Sequence, residues 1–206
     1  MGREHKCGSC DVREAILNSV GKLIKRYGYK KMTMDDIAHE VGIGKGTIYL
    51  YFPSKEEVSL GWIDRANCDL RARMKSIADL DMDIQSKLRE MLICRVMTRF
   101  DQAQDMAQSL DELFSSIRLT LLSRRDHYHK LEAELFSEVL INGVAKGEIA
   151  CDDFEHTALA LLYATNSMLP YSLSVAQLGN REEINRRATI IANLLLTGLI
   201  PRVTCN

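Results

Sequence analysis

The stretch T-M-D-D-I-A-H-E-V-G-I-G-K-G-T-I-Y-L-Y-F-P-S-K, Thr33 to Lys55, decides the fold. Thr33 is a favoured helix N-cap, and Asp35 and Asp36 suit the positive end of a helix dipole. Ile37, Ala38 and Val41 fall on one apolar face. Gly42 stands where the chain must turn through positive φ, and the small Ala38 lets a second helix cross closely. Ile43 and Ile48 anchor that second helix and leave Lys45, Thr47, Tyr49 and Tyr51 directed outward. Two short helices around a tight turn, with basic and hydroxyl-bearing groups outside, suit the reading of a DNA major groove.

Outward from this stretch the chain reads as helix. A first helix is predicted from about Val12 to Tyr27, capped by Asp11, with Ala15, Ile16, Val20, Leu23 and Ile24 as its buried stripe and Gly28 as its stop. The motif helices follow at about Met34–Glu40 and Lys45–Tyr51. Ser54 and Glu57 form a capping box for a fourth helix reaching about Ile77. A fifth covers about Ile84–Gln104, a sixth starts near Leu110 and ends before Arg124-Arg125, and a seventh spans about Tyr128–Lys146 before Gly147. The last two run from about Phe154 to Leu169, stopped by Pro170, and from Arg181 to Leu199, stopped by Pro201. No segment shows strand alternation, so the expected fold class is all-α, with about nine helices.

Charge divides the chain. Residues 1–55 hold ten Lys/Arg against six Asp/Glu, a net of +4, whereas residues 56–206 are net −5. A near-neutral total argues against indiscriminate nucleic-acid binding, but a basic head on an acidic body suits presentation of one end to phosphates. The expected organisation is a flexible tail over 1–10, a three-helix head over 11–52 and a larger helical domain over 53–206. Met1 to Asp11 lacks the apolar core of a signal peptide. The longest apolar run, Ala188 to Ile200, is too short and too interrupted for a membrane span of roughly 20 residues. The protein therefore reads as cytoplasmic, and its six cysteines as reduced thiols.

Other chemistries find little support. Gly42 to Thr47 hints at a phosphate loop, but Lys45 is followed by Gly and no strand precedes it. Cys7 and Cys10 have metal-ligand spacing, yet no second pair completes a tetrahedral site. Cys205 could contribute only if the termini meet. His127 and His129 are two apart and share no helix face. No H-E-x-x-H, G-x-S-x-G or comparable enzyme signature occurs, and no cofactor motif is present. A thiol- or metal-responsive role for Cys7 and Cys10 stands as one alternative, and a small-molecule-binding or catalytic helical protein without DNA function as another.

A single helix, then the Thr33–Lys55 string continuing into Glu56, Glu57 and Val58, then an all-helical remainder, resembles the TetR family of bacterial transcriptional regulators. The resemblance implies a homodimer on a palindromic operator, most often a repressor released by a small molecule held in a larger ligand-binding and dimerisation domain. It implies that Lys45, Gly46, Thr47, Tyr49 and Tyr51 enter the major groove, while Thr33 and Lys55 hold phosphates. Tyr51 departs from the His often found in its slot, and Gly44 replaces a common capping Ser. The residues agree: Lys supplies charge, hydroxyls donate to phosphate or base edges, and Gly46 permits close approach. Tyr49 could instead pack between helices, and Lys25, Arg26, Lys30 and Lys31 could be solvated rather than phosphate-bound.

In the larger domain, Ile184, Ala188, Ile191, Leu195 and Leu199 recur at helical spacing, and the preceding helix offers Leu162. Leu162, Ala188, Ile191, Leu195 and Leu199 are expected to meet their symmetry mates in a four-helix bundle, as the resemblance implies. Arg95 and Arg99 interrupt an apolar helix side, and either a ligand carboxylate or an internal Glu or Asp could satisfy them. With Trp62, Phe114, Tyr128 and Met168 they form the expected effector pocket.

Overall fold

The computed structural model describes residues 5–105, 110–169 and 177–199, and over these the chain is all-helical. Eight helices lie among the described residues: α1 (His5–Tyr27), α2 (Met34–Val41), α3 (Lys45–Tyr51), α4 (Lys55–Ala78), α5 (Ile84–Asp105), α6 (Leu110–Ala145), α7 (Phe154–Asn166) and α8 (Arg181–Thr197). Cys205, Pro170 and Pro201 lie outside the described residues, as do the side chains of Cys7, Cys10 and Phe114.

Two element boundaries differ from expectation, each for a local reason. α1 starts at His5 rather than Val12, so Asp11 lies inside it instead of capping it. No proline interrupts residues 5–11, and the lone Gly8 costs a helix only about 1 kcal/mol. The predicted sixth and seventh helices are one continuous helix of 36 residues. Arg124 and Arg125 are good helix formers, and neither Gly nor Pro falls between Leu110 and Asn142, so nothing ends it there.

The chain divides into two compact units, Met1–Asn67 with Asp105–Ser123, and Cys68–Gln104 with Arg124–Asn206. The core of the first gathers Ile16, Leu17, Val20 and Ile24 of α1, Ile37 of α2 and Ile48 of α3. Val58 and Leu60 of α4 and Leu113 and Ile117 of α6 complete it, so the head does not close at residue 52. Gly61 permits this closure: a Cβ there would lie 2.8 Å from the Phe52 ring and 3.3 Å from Leu17. In the second unit, one cluster joins Leu70, Met74, Leu88, Phe136, Leu140 and Leu162, and another joins Val96, Phe100, Ile184 and Ala188. Each fully buried side chain of this kind contributes roughly 1.5–3 kcal/mol. No described helix is long and apolar enough to cross a membrane.

Candidate nucleic-acid interface

The α2–turn–α3 segment is set by contacts a few residues apart. Thr33 Oγ1 accepts the Asp36 N–H at 3.1 Å while Asp36 Oδ2 accepts the Thr33 N–H at 2.8 Å, a reciprocal cap. The Asp36 carboxyl is held below its usual pKa, first by the Thr33 hydroxyl and then by the Thr33 backbone N–H. At the other end Gly42 has φ +77°, and its N–H donates to the Ala38 and His39 carbonyls. A residue bearing a Cβ would be strained in that left-handed conformation. α3 then starts at Lys45, and its N-cap, Gly44, offers no side-chain hydrogen bond. Ile48 is fully buried and seats α3 on the core.

What α3 leaves outside is short and chemically simple. Lys45, Gly46, Tyr49 and Leu50 are exposed, Thr47 is half-buried, and a Cβ on Gly46 would meet nothing within 4 Å. Tyr51, expected outside, is half-buried and packs against the core of the first unit. Leu50, adjacent to it and not anticipated as a site residue, is 84% exposed. Neighbouring helix positions are about 100° apart, so Leu50 and Tyr51 face different sides of α3.

The cations around α3 are already engaged. Lys45 Nζ lies 2.7 Å from Asp35 Oδ2, and this contact raises the lysine pKa above its ordinary value. Lys22 and Arg26 of α1 both approach Glu40, at 3.7 and 3.6 Å. These are exposed pairs, weak and screened by salt, and a phosphate can replace the carboxylate. Lys55 is held more firmly: its Nζ donates to the Lys30 carbonyl at 3.1 Å and sits 4.4 Å from the Tyr29 ring centroid. Burial lowers its pKa, and Glu112 opposes that effect. Lys55 thus ties the start of α4 to the turn before α2, and its ammonium has three donors, so this bond does not exhaust its capacity to meet a phosphate. Thr33 is spent mainly on its cap.

The expected effector-pocket residues fall in both units. Trp62 packs against the core of the first unit. Tyr128 is half-buried, and Met168 belongs to the second unit, where it lines a groove of about 320 Å³ with Ser167, Leu178, Arg187 and Ile191. Arg95 and Arg99 do converge, on an internal carboxylate. Arg95 Nε donates to Glu132 Oε2 at 2.7 Å, and its other nitrogens reach Thr165 Oγ1 and Asn166 Oδ1 at 3.1 and 2.8 Å. Arg99 Nη2 donates to Glu132 Oε1 at 2.5 Å. Burial alone would raise the Glu132 pKa, but the two guanidiniums more than offset it and the net shift is downward. His129, one turn earlier on α6, is buried beside them. Burial, then Arg95, pushes its pKa down to about 4. Its Nδ1 and the Nε of Arg99 are buried without a hydrogen-bond partner.

The expected dimer residues also separate. Leu162 and Ala188 are buried inside the protomer, and Ile191, Leu195 and Leu199 are partly buried against its cores. The apolar side chains left open on α7 and α8 are instead Tyr163, Ile190 and Leu194. Among the described residues no group of three or more His, Cys, Asp or Glu is placed to hold a metal.

The model of bacterial regulatory proteins of the tetR family matches residues 16–60, the span that contains the reciprocal cap, the Gly42 turn and α3. The HTH-type transcriptional regulator YhgD of Bacillus subtilis is 28% identical over 158 residues, covering 75% of this chain and 80% of its own. The HTH-type transcriptional regulator YfiR of the same organism is 30% identical over 156 residues, covering 71% and 70%. A transcriptional regulator from Cytophaga hutchinsonii shares the fold with a TM-score of 0.75 at 22% identity, over 91% of this chain and 98% of its own.

Proposed function

This chain belongs to the TetR family of bacterial regulatory proteins and is a DNA-binding transcriptional regulator, and from that premise we propose that it acts in the cytoplasm as a homodimeric repressor. The observation that carries the DNA reading is the outer side of α3, where Gly46, Tyr49 and Leu50 are uncovered by the rest of the protein while Ile48 holds the helix in place. Lys45 and Lys55 supply phosphate contacts, Thr33 caps the supporting helix, and Tyr49 and Thr47 offer hydroxyls to base edges. Selection from a random duplex pool is expected to enrich a palindrome whose half-sites lie one helical turn, about 10–10.5 bp, or a multiple of it apart. A pool that yields no enriched duplex, or only an asymmetric single site, would overturn the dimeric operator reading.

Release follows from a small molecule held in the second unit. Its binding shifts α4, whose residues are divided between the units, and the two recognition helices no longer match successive major grooves about 34–36 Å apart. Arg99 supports an anionic effector. It keeps 23% of its side chain open although Glu132 is buried, and its Nε and the Nδ1 of His129 await acceptor or donor groups. Titration of the operator complex with straight-chain monocarboxylates is expected to release DNA where the matching primary amides do not. Arg99→Leu is expected to abolish that response and leave binding of the unliganded protein intact. Equal release by acid and amide, or an unchanged response in the variant, removes the assignment.

A further inference from the structure

We propose that Leu50 reads thymine 5-methyl groups in the major groove and so gives the operator an obligatory T·A pair at one position of each half-site. The proposal rests on the DNA-binding reading above and adds the chemistry by which α3 discriminates sequence.

Two observations converge on Leu50. It is the most exposed large apolar side chain among the described residues, and it lies on α3, the helix that the reading above assigns to the major groove. A scattered apolar residue on a protein surface needs no explanation. This one sits at the fourth position after Gly46, whose missing side chain leaves the preceding turn bare. Helical side chains lean toward the N-terminus, so the surface Leu50 presents lies over that open turn. The result is an apolar contact directly beside the point of closest backbone approach.

The rest of α3 explains why such a contact must carry information. Lys-Gly-Thr-Ile-Tyr-Leu-Tyr contains no Arg, Asn, Gln, Asp or Glu. It therefore lacks the forked groups that recognise guanine or adenine bidentately and the carboxylate that recognises cytosine. Lys45 is paired at 2.7 Å with Asp35, and Thr47 and Tyr49 offer single hydroxyls, which discriminate between bases less sharply than a bidentate fork. The four bases display a single apolar feature in the major groove, the thymine methyl. A Leu docked there gains burial only over thymine, and over cytosine or a purine it desolvates polar edges without pairing them.

Deoxyuridine isolates this term, because it removes the methyl and leaves pairing and phosphates unchanged. The full-length protein would be titrated with its selected operator and with duplexes carrying uracil at each thymine in turn. Wild type is expected to lose about four-fold in affinity per methyl at one or two positions in each half-site. Leu50→Ala, a change at an exposed site, is expected to fold normally and to bind the thymine and uracil operators alike. 5-Methylcytosine at the sensitive position should restore part of the wild-type affinity that unmethylated cytosine loses. Equal wild-type affinity for thymine and uracil at every position overturns the proposal while the DNA reading stands. So does discrimination that survives in Leu50→Ala, or an operator affinity that variant leaves wholly unchanged, since Leu50 would then face a different partner. Failure of the wild type to select any duplex defeats both readings.

Discussion

Replacing Glu132 by Leu is expected to lower the free energy of unfolding by about 3–5 kcal/mol, the cost typical of removing one partner from a buried ion pair. Glu132 is 1% exposed and accepts from both Arg95 Nε and Arg99 Nη2, so one substitution strips two guanidiniums of their shared carboxylate. For a chain of this length the melting temperature should fall by roughly 10 °C. The double variant Arg95→Met, Glu132→Leu should recover most of the loss, because a packed apolar pair avoids the desolvation that the charges incur. Circular dichroism melts and urea titrations of the three proteins provide the check. A single variant within 1 kcal/mol of the parent would mean that water, not the fold, neutralises these arginines.

The same network gives the stability a sign in acid. Glu132 has a folded pKa below its ordinary 4.5, so its contribution is complete above that value and is lost as pH falls through the lower one. His129 acts over a higher window. It stays neutral in the folded protein down to about 4, whereas the unfolded imidazole takes up a proton near 6.5. The folded state therefore loses ground as pH drops from 6.5 toward 4.

Leu194→Glu is expected to convert the protein to a monomer at micromolar concentration and to weaken operator binding by at least about a hundred-fold. Leu194 is 70% exposed, and Ile190, one turn earlier on α8, is 52% exposed. One turn apart on α8, they present an apolar stripe that a symmetry mate would bury, and a carboxylate placed within it would be desolvated without a partner. Two linked heads bind the second half-site intramolecularly, and that advantage commonly amounts to 10²–10⁴ in affinity. Because Glu is a good helix former at an exposed position, the protomer should keep its helical content. Sedimentation velocity and gel-shift titration test the two halves separately. A variant that still sediments as a dimer places the interface elsewhere, and one that is monomeric yet binds at parental affinity removes the need for two linked heads.

Most of the head was legible in the residues themselves. The bounds of α3, the Thr33 cap, the positive φ of Gly42 and the Ser54 cap, whose Oγ accepts the Glu57 N–H at 3.1 Å, were all foreseen. Each depends on atoms no more than four residues apart, where hydrogen-bond geometry and backbone sterics admit few solutions. The family resemblance was legible for the same reason, since its motif is a chain of such local devices. The start of α1 and the fusion of two predicted helices into α6 were not, because a boundary inferred from weak breakers is decided by packing on either side.

Tertiary structure alone decided which neighbour each side chain meets. It turned Tyr51 inward and Leu50 outward, paired Lys45 with Asp35, and supplied Glu132 to Arg95 and Arg99 across tens of residues. It also put Leu162 and Ala188 inside the protomer and left Ile190 and Leu194 at its surface. Helices apolar on more than one side carry no mark of which side is the core, and the choice falls to whichever long-range contacts exclude the most water.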